Sequence, residues 1–255
     1  MVLSDRIGLI TGAATGIGRA TVLGLARAGI AGVAINYRSA GDQAESLAAE
    51  VRELGVEAFC VHGDVRNDAQ VREMVRQTVA QFGRLDVLVN NAGITRWVPI
   101  TDMEALTDEI WDVTLDVNVK GAYRCARAAA SHLESTQGMI VNVSSISGVI
   151  APSTMSSLAY GTAKAGLIYL TRGLAVALGP NIRVNAVAPA FTDTQWMRDH
   201  YGEDYGDIIK RASANYPLKR VAKPEEVAGA ILGLITGGDF VTGQTLLVDG
   251  GLSLS

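Results

Sequence analysis

Tyr160 and Lys164 stand four residues apart in a stretch rich in alanine and leucine. On a helix this spacing puts a phenol and an ammonium on one face, with about 5–6 Å between their Cβ atoms. A free phenol has a pKa near 10, and lowering it to about 7 requires roughly 4 kcal/mol of preferential stabilisation of the phenolate. A neighbouring ammonium is one source of that stabilisation. The pair therefore predicts general acid–base chemistry, although the same spacing is also common on solvated helix faces.

A glycine-rich turn follows the first apolar run of the chain. Residues 11–18 read Thr-Gly-Ala-Ala-Thr-Gly-Ile-Gly and lead into an amphipathic stretch. Glycines in such a turn allow close approach of the backbone to a pyrophosphate, and the amides of the helix N-terminus attract its charge. An ordinary glycine-rich turn between a strand and a helix is the alternative. We predict a dinucleotide-binding turn that uses Gly12, Thr15, Gly16, Ile17 and Gly18.

The end of the second apolar run indicates which dinucleotide binds. A carboxylate about 20 residues after the turn is typical of an NAD site, where it holds the ribose 2′-hydroxyl. Here the run ends in Tyr37, Arg38 and Ser39, with no carboxylate. Arg38 would supply a fixed cation and Ser39 a hydroxyl where a 2′-phosphate would sit. We predict that NADP(H) is preferred and that NAD(H) binding is possible; the alternative is that Arg38 is a solvated surface charge.

Two further apolar runs end in short polar segments. His62-Gly63-Asp64-Val65 closes the third run, and Asn90-Asn91-Ala92-Gly93 closes the fourth. Either segment could be a plain turn, because Asn, Asp and Gly are common turn residues. The carboxyl ends of successive parallel strands, however, meet in one crevice. We therefore expect Asp64, Val65, Asn91, Ala92 and Gly93 to contact the adenosine half of the cofactor.

The segments that must position these residues alternate between strand and helix patterns. Apolar, β-branched runs predict strands over 7–11, 33–36, 58–62, 87–90, 139–144, 182–187 and 245–248. Helical patterns lie between them, over 17–28, 42–54, 68–82, 108–134, 160–178 and 224–236. This alternation predicts an α/β fold, a doubly wound seven-stranded parallel sheet with helices on both faces, in a single domain. A (β/α)₈ barrel is the alternative on length alone. The polar and aromatic stretch 191–217 breaks the rhythm and reads as a substrate lid or a long loop.

Composition excludes several other classes of protein. The chain has 255 residues, 22 Lys plus Arg and 26 Asp plus Glu, giving a net charge of −4 without a basic block, which argues against a nucleic-acid binder. There is no apolar stretch of membrane-spanning length and no signal-peptide pattern. The two cysteines and three histidines show no metal-ligand spacing, so no metal site is expected. A cytoplasmic protein is the expectation.

Taken together, the motifs resemble those of the short-chain dehydrogenase/reductase family. The resemblance extends over essentially the whole chain, in order. It comprises the nucleotide motif at 11–18, NNAG at 90–93, a helix asparagine at Asn118, the serine strand at 140–145, YxxxK at 160–164, and the segments 185–189, 223–227 and 248–251.

The resemblance implies a catalytic tetrad. Tyr160 would be the general acid in carbonyl reduction or the base in alcohol oxidation. Lys164 would lower the pKa of Tyr160 and hold the nicotinamide ribose, while Ser145 would polarise the substrate oxygen. Asn118 would help to hold a water that leads protons to Lys164. A bound cofactor supplies the hydride in such a site, and the protein supplies orientation and a proton.

The sequence departs from the family pattern in two places. Ser145 and Tyr160 are 15 residues apart, two more than usual, and Ser147 would restore the usual spacing. The Pro-Gly that normally follows the sixth strand is Pro189-Ala190 here, and Ala is disfavoured if that position requires a positive φ. Beyond it, Thr192 and Thr194 are placed to contact the nicotinamide carboxamide, and Thr194 matches the family better.

The substrate and the assembly are predicted in less detail than the catalytic residues. An apolar wall is expected from Trp97, Ile146, Met155, Trp196, Met197 and Tyr201. The first expectation is a 3-oxoacyl-thioester (acyl-carrier-protein) reductase, and a glucose- or polyol-dehydrogenase-like enzyme is the second. A non-catalytic NADP(H)-binding regulator is the alternative from another class. Helices 108–134 and 160–178 are expected to pair between copies in a homotetramer.

Overall fold

The computed structural model describes residues 1–150 and 157–254, which form a seven-stranded parallel sheet. Its order is β3-β2-β1-β4-β5-β6-β7, so the chain starts in the middle and winds outward in both directions. This is the predicted doubly wound arrangement, and the crevice forms where the order reverses, between β1 and β4. The strands are β1 (Ile7–Ile10), β2 (Gly32–Tyr37), β3 (Glu57–His62), β4 (Val87–Asn90), β5 (Met139–Val143), β6 (Arg183–Pro189) and β7 (Thr245–Val248).

Burial explains why these segments are strands. The four residues of β1 and of β4 and the five of β5 are all buried, as expected for strands covered on both faces. Successive side chains point to opposite faces. Thus Leu9, Leu88 and Ile140 belong to one apolar core, and their neighbours along the strands belong to the other.

Helices cover both faces of the sheet. On one face α1 (Gly16–Arg27), α2 (Gly41–Glu53) and α9 (Pro224–Thr236) enclose the first core. On the other, α3 (Asp68–Phe82), α5 (Ala122–Ser135) and α6 (Leu158–Leu178) enclose the second. The helical interpretation of these segments is confirmed, with ends that differ by no more than two residues apart from α5.

The predicted continuous helix over 108–134 is wrong in one respect. It consists of α4 (Asp108–Leu115), a π-helical turn (Asp116–Gly121) and α5. A π turn widens the helix by one residue and is frequent at functional sites. Here it contains Asn118, whose side chain points into the protein and is 1% exposed.

The segment 191–217 is more ordered than a plain loop. It contains α7 (Gln195–Tyr201) and α8 (Tyr205–Ala214), joined by a short 3₁₀ turn (Gly202–Asp204). A small apolar cluster beneath it includes Ala212, Tyr216 and Val221. Within the described residues, no helix combines the length and the apolarity that crossing a membrane requires.

Candidate active site

A cavity of about 970 Å³ opens at the carboxyl ends of the strands. The structure brings nearly all the predicted cofactor residues to its wall. Those that line it are Gly12, Thr15, Gly16, Ile17, Tyr37, Arg38, Ser39, Asp64, Val65, Asn91, Ala92, Gly93, Tyr160, Lys164, Pro189, Ala190, Thr192 and Thr194. Of the predicted substrate residues, Ser145, Ser147, Trp97, Trp196 and Met197 line the same cavity, and Met155 lies outside the described residues.

The glycine-rich turn is shaped to admit a phosphate group. Gly12 and Gly16 have φ values of +59° and +56°, which favour glycine. A Cβ on Gly12 would lie 3.0 Å from the Cα of Ala92, so the backbone segments meet without room for a side chain. Thr15 caps α1 from an extended conformation, without a side-chain hydrogen bond to the helix amides. Those amides suit an anionic ligand, and the turn therefore fits a dinucleotide.

Gly18 does not line the cavity but packs behind it. A Cβ on Gly18 would lie 2.6 Å from both the Nδ2 of Asn91 and the carbonyl oxygen of Gly12. The Asn91 amide in turn donates to the carbonyls of Thr11 and Gly12, at 2.9 Å each. Gly18 thus lets α1 lie directly against the turn.

Two residues that the sequence analysis did not select hold this turn in place. The Asn36 Oδ1 accepts from the Gly12 amide at 3.1 Å, and its Nδ2 donates to the Gly63 carbonyl at 3.1 Å. The Thr11 hydroxyl accepts from the amides of Asn91 and Ala92, at 3.0 Å each. Both side chains are buried. A polar residue inside an otherwise apolar strand end was the available signal, because a buried polar group needs partners.

Arg38 lies where the sequence analysis expects a 2′-phosphate. Its side chain is exposed at the cavity wall, at the end of β2. The His62 ring Nε2 lies 3.1 Å from the Arg38 carbonyl, and the rings of His62 and Tyr37 meet edge to face at 5.6 Å. The contact with His62 involves the Arg38 backbone, and the Arg38 side chain stays exposed.

Ser145 and Tyr160 both line the cavity, and their side chains lie close enough to interact. Ser145 follows β5, and its Oγ also accepts from the Ser147 amide at 3.2 Å. Burial raises the pKa of Tyr160 to about 12, and the hydrogen bond from Ser145 opposes that rise. The net direction is opposite to the lowering that the sequence analysis anticipates, because loss of solvent outweighs the local contacts.

Lys164 lies one helical turn after Tyr160 and is 3% exposed. Its Nζ donates to the Val143 carbonyl at 2.9 Å and lies 5.5 Å from the centre of the Tyr160 ring. Burial lowers the pKa of Lys164 to about 8. Two serines orient this part of α6: Ser157 accepts from the Tyr160 amide, and the Ser144 hydroxyl donates to the Lys164 carbonyl at 2.8 Å.

Asn118 lies in the π turn, and its side-chain oxygen lies near Gly93 at the cavity wall. Its Nδ2 donates to the carbonyls of Ile94 and Thr114, at 2.8 and 2.9 Å. Its Oδ1 is buried and has no hydrogen-bond partner within the described residues. A Cβ on Gly93 would lie 2.8 Å from this oxygen and 3.4 Å from the Lys164 Nζ. An acceptor and a cation therefore flank the same glycine.

The substrate side of the cavity is built from aromatic rings. Trp97 follows β4 and stacks on His200 of α7, with ring centres 3.8 Å apart and planes 11° apart. Its ring centre lies 5.7 Å from that of Trp196 and 5.8 Å from that of Tyr201. Ile146, beside Ser145, also lines the cavity. The predicted apolar wall is thus assembled largely between one loop and one short helix.

The segment between β6 and α7 connects the two sides. Thr192 and Thr194 are buried at the cavity wall, and Asp193 between them faces α7 and α8. The Asp193 carboxylate accepts from Arg198 at 2.5 Å and from the Tyr205 hydroxyl at 2.6 Å. Ala190 is not among the described residues with a positive φ, so alanine fits there without backbone strain.

Comparison with known proteins places the chain among its relatives. A family model described as enoyl-(acyl carrier protein) reductase matches residues 12–253. The crystal structure of a putative short-chain dehydrogenase/reductase from Burkholderia xenovorans superimposes with a TM-score of 0.90, at 34% identity and over 98% of each chain. The chain belongs to the short-chain dehydrogenase/reductase family. The resemblance on which the sequence analysis relied is thereby confirmed, and with it the expectation of an oxidoreductase.

Other members of the short-chain dehydrogenase/reductase family have more specific names. The putative ketoacyl reductase 2 of the granaticin polyketide synthase from Streptomyces violaceoruber is 40% identical, over 97% of this chain and 96% of its own. The 3-oxoacyl-[acyl-carrier-protein] reductase of a Synechocystis strain is 37% identical, over 98% of each chain. The crystal structure of a gluconate 5-dehydrogenase from Burkholderia cenocepacia, in complex with NADP and tartrate, superimposes with a TM-score of 0.89 at 34% identity, covering 99% of this chain and 97% of that one.

Proposed function

We propose that this chain is an NADP(H)-preferring oxidoreductase that reduces the keto group of a 3-oxoacyl thioester to a secondary alcohol. The names of the relatives at 36–40% identity support this substrate class. The observation that carries the chemistry is that Ser145, Tyr160 and the buried Lys164 line one cavity, with the Lys164 Nζ 5.5 Å from the centre of the Tyr160 ring. Two hydroxyls side by side suit one oxygen atom that gains negative charge as the reaction proceeds.

The cofactor would be held by the wall described above. The turn at Gly12, Thr15, Gly16 and Ile17 would bind the pyrophosphate through its amides, with Gly18 packed behind it. Tyr37, Arg38 and Ser39 would surround the 2′-phosphate, and Asp64, Val65, Asn91, Ala92 and Gly93 the adenosine. Pro189, Ala190, Thr192 and Thr194 would face the nicotinamide. When bound, NADPH supplies the hydride. NAD(H), which lacks the 2′-phosphate, would be the weaker ligand.

Reduction of a keto group requires a proton donor. Because burial raises the pKa of Tyr160 to about 12, the phenol is protonated at neutral pH. It can therefore donate its proton to the carbonyl oxygen as that oxygen becomes an alkoxide. Ser145 donates a second hydrogen bond to the same oxygen. Alcohol oxidation would instead require the Tyr160 phenolate, which burial disfavours.

Lys164 and Asn118 would replace the lost proton. With a pKa near 8, the Lys164 ammonium is charged at neutral pH and stabilises the phenolate left after the transfer. The unpartnered Oδ1 of Asn118 faces the same glycine as the ammonium and would accept from a water there. This water would carry a proton toward Lys164 and then Tyr160. Thus each residue of the proposed tetrad touches either the substrate or its proton path.

The description of the matching family model names a reaction different from that of the relatives. An enoyl reductase acts on a carbon–carbon double bond, whereas the relatives are named for the reduction of a keto group. The names of the relatives, at 37–40% identity, favour the keto group. A sugar or polyol dehydrogenase is the second candidate, because the gluconate 5-dehydrogenase has the same fold at 34% identity. A non-catalytic regulator would need neither a proton donor nor a relay.

The chain would work as one catalytic domain with a lid at 191–217. The aromatic contacts between Trp97 and α7 support a lid, because they would close the substrate side when formed. We also expect the site to exclude water better with the lid closed.

A cytoplasmic homotetramer is the assembly that we propose. On α6, Tyr169 and Val176 are 77% and 85% exposed, which leaves an apolar face for a partner helix. At the free sheet edge, Leu246 and Leu247 of β7 are also partly exposed. Both cysteines are free thiols, as suits a reducing compartment. Gel filtration at the mass of a monomer would contradict the tetramer.

Replacement of the proposed proton donor tests the function. With Tyr160→Phe we expect reduction of a 3-oxoacyl thioester to fall about 1000-fold or more, since the acid is removed. The affinity for NADPH, measured by fluorescence titration, should change little. Tyr169→Phe is the control, because it removes a hydroxyl from the same helix outside the cavity and keeps the aromatic ring. Consumption of NADPH with 3-oxoacyl thioesters and with keto sugars would distinguish the two candidates, and substantial turnover by Tyr160→Phe would overturn the proposed role.

A further inference from the structure

An ion pair lies at the edge of the cofactor cavity, at the carboxyl end of β3. Asp64 lines the cavity, and Arg66 follows it two residues later in the chain. The Arg66 Nη2 donates to one carboxylate oxygen of Asp64 at 2.6 Å, and its Nε lies 2.9 and 3.1 Å from the two oxygens. The Arg66 amide donates to the same carboxylate at 2.9 Å. Both oxygens of Asp64 are thereby engaged.

This pair lies next to the residue proposed to bind the 2′-phosphate. Tyr37 at the end of β2 is in register with His62 at the end of β3, and the Gly63 amide donates to the Tyr37 carbonyl at 2.9 Å. Arg38 and Asp64 therefore follow neighbouring strand ends, and both line the cavity. The charge of Arg38 contributes to lowering the pKa of Asp64, although Arg66 contributes more.

A carboxylate at this position would oppose NADP(H) binding if it were unpaired. Asp64 is only 16% exposed, and the Arg66 hydrogen bonds hold its pKa below the usual range, so it stays ionised. An unpaired negative charge would repel a phosphate group and attract the Arg38 guanidinium away from it. In the described part of the chain, the Arg38 side chain forms neither a hydrogen bond nor an ion pair. The guanidinium that pairs with the Asp64 carboxylate is that of Arg66, not that of Arg38.

We propose that Arg66 is a positioning residue for cofactor choice: by holding the Asp64 carboxylate, it leaves Arg38 for the 2′-phosphate of NADP(H). The inference rests on the proposed cofactor. It assigns Arg66 no direct contact with the phosphate. Asp64 keeps its proposed place beside the adenosine, because Asp64 lines the cavity and Arg66 does not.

Direct binding measurements test this role. Fluorescence titrations with NADPH and with NADH give the ratio of the two dissociation constants, without reference to turnover. For Arg66→Leu we expect the preference for NADPH to fall by about three- to tenfold, because an unpaired charge near the exposed rim is partly screened. Arg66→Gln, which keeps a polar side chain, should lose a similar factor. An unchanged ratio in correctly folded variants would overturn the proposal.

A matched control separates this effect from a change in overall charge. Arg76 forms a similar ion pair with Glu73 on α3, at 2.6 Å, and is not part of the cavity wall. Arg76→Leu removes the same charge and should leave the NADPH-to-NADH ratio within about twofold of the original. If Arg76→Leu lowers the ratio as much as Arg66→Leu does, net charge explains the result and the proposal fails.

A double variant shows whether Arg66 acts through Asp64. In Asp64→Asn/Arg66→Leu the carboxylate charge is removed together with its partner, and the preference for NADPH should return to within about twofold of the original. If the double variant stays as impaired as Arg66→Leu, Arg66 contacts the phosphate directly and the proposal is wrong. Should the unmodified protein prefer NADH, the proposed cofactor fails, whereas the proposal for Arg66 is still judged by the change in ratio between variants.

Discussion

The two sides of the cavity are built in different ways. On the cofactor side, backbone meets backbone: Gly12 lies against Ala92, and Gly18 leaves no room for a side chain beside Asn91. Asn36 fixes the turn, because its Oδ1 accepts from the Gly12 amide while its Nδ2 donates to the Gly63 carbonyl. On the substrate side, the surface consists of aromatic rings, and Trp196 remains 46% exposed.

The difference follows from what each side must recognise. A pyrophosphate is bound by backbone amides, whose positions are set by φ and ψ and by the absence of side chains. A substrate is selected by side chains, which can be exchanged while the backbone stays in place. We therefore expect small changes to be severe on the cofactor side and graded on the substrate side.

Among these variants, Gly18→Ala should weaken the binding of NADPH most. A small loss of affinity would contradict the expected difference between the two sides of the cavity. The added methyl would lie 2.6 Å from Asn91 and from the Gly12 carbonyl, so the turn must shift. Overpacking of about 2–3 kcal/mol corresponds to roughly 30- to 150-fold weaker binding of NADPH. A fluorescence titration measures the loss.

Gly206→Ala provides the matched control on the other side. Gly206 lies in α8, and a Cβ there would meet no atom within 4 Å. Because alanine favours a helix more than glycine does, the melting temperature should stay the same or rise. Binding of NADPH by Gly18→Ala at the original affinity would refute the tight contact.

Trp97→Ala should give an intermediate effect confined to the substrate side. The change removes the stack on His200 and the contacts with Trp196 and Tyr201, which anchor α7. Aromatic pairs contribute about 0.5–1.5 kcal/mol each, so we expect KM for the thioester to rise roughly tenfold. The dissociation constant for NADPH should stay within about twofold.

Trp97→Phe is a more conservative variant for the same measurement of KM. A phenyl ring can still stack on His200, and KM should then rise by no more than about threefold. If Trp97→Ala weakens NADPH as much as it raises KM, the two sides are not independent and the comparison fails.

The smallest expected effect is a pH dependence of the contacts between Trp97 and α7. Partial burial of the His200 ring against its neighbours lowers its pKa, so the packing of α7 favours the neutral ring. Contacts that depend on this ring are complete above the ordinary histidine pKa of about 6.5 and weaken as the pH falls through the lower folded value. Tyr201 remains neutral throughout, because burial raises its pKa.

KM measured against pH detects this change. We expect KM to increase by no more than about threefold on acidification below about pH 6, since His200 is largely exposed. In His200→Phe, which cannot titrate, the increase should disappear. An equal increase in that variant would assign the titration to another group.

The cofactor side was largely predictable from the sequence. Seven strands, their parallel order and the glycine-rich turn follow from periodicity and from local glycine chemistry. The preference for Ser145 over Ser147 came from the sequence, and it stays a prediction because both serines line the cavity. The roles of Asn36 and Thr11 were also missed, because their partners lie on other strands.

The substrate side was less predictable for a physical reason. The stack of Trp97 on His200 joins residues more than 100 positions apart, and spacing alone cannot reveal such a contact. The helices within 191–217 are short, and their stability comes from tertiary contacts rather than from propensity. The direction of a pKa shift also depends on tertiary burial, which the sequence does not show. Burial raises the pKa of Tyr160, although the neighbouring Lys164 led us to expect a lower one.

Because of the π turn at Asp116–Gly121, the position of Asn118 depends on the exact number of residues between α4 and α5. An α-helix advances about 100° per residue, so deletion of one residue here would turn everything on one side of it by that angle. The Asn118 amide would then leave Gly93 even though every side chain of the proposed tetrad was still encoded. Insertions and deletions in surface loops are tolerated more readily. In evolving or redesigning this scaffold, the number of residues between α4 and α5 should be held as fixed as the identity of Asn118.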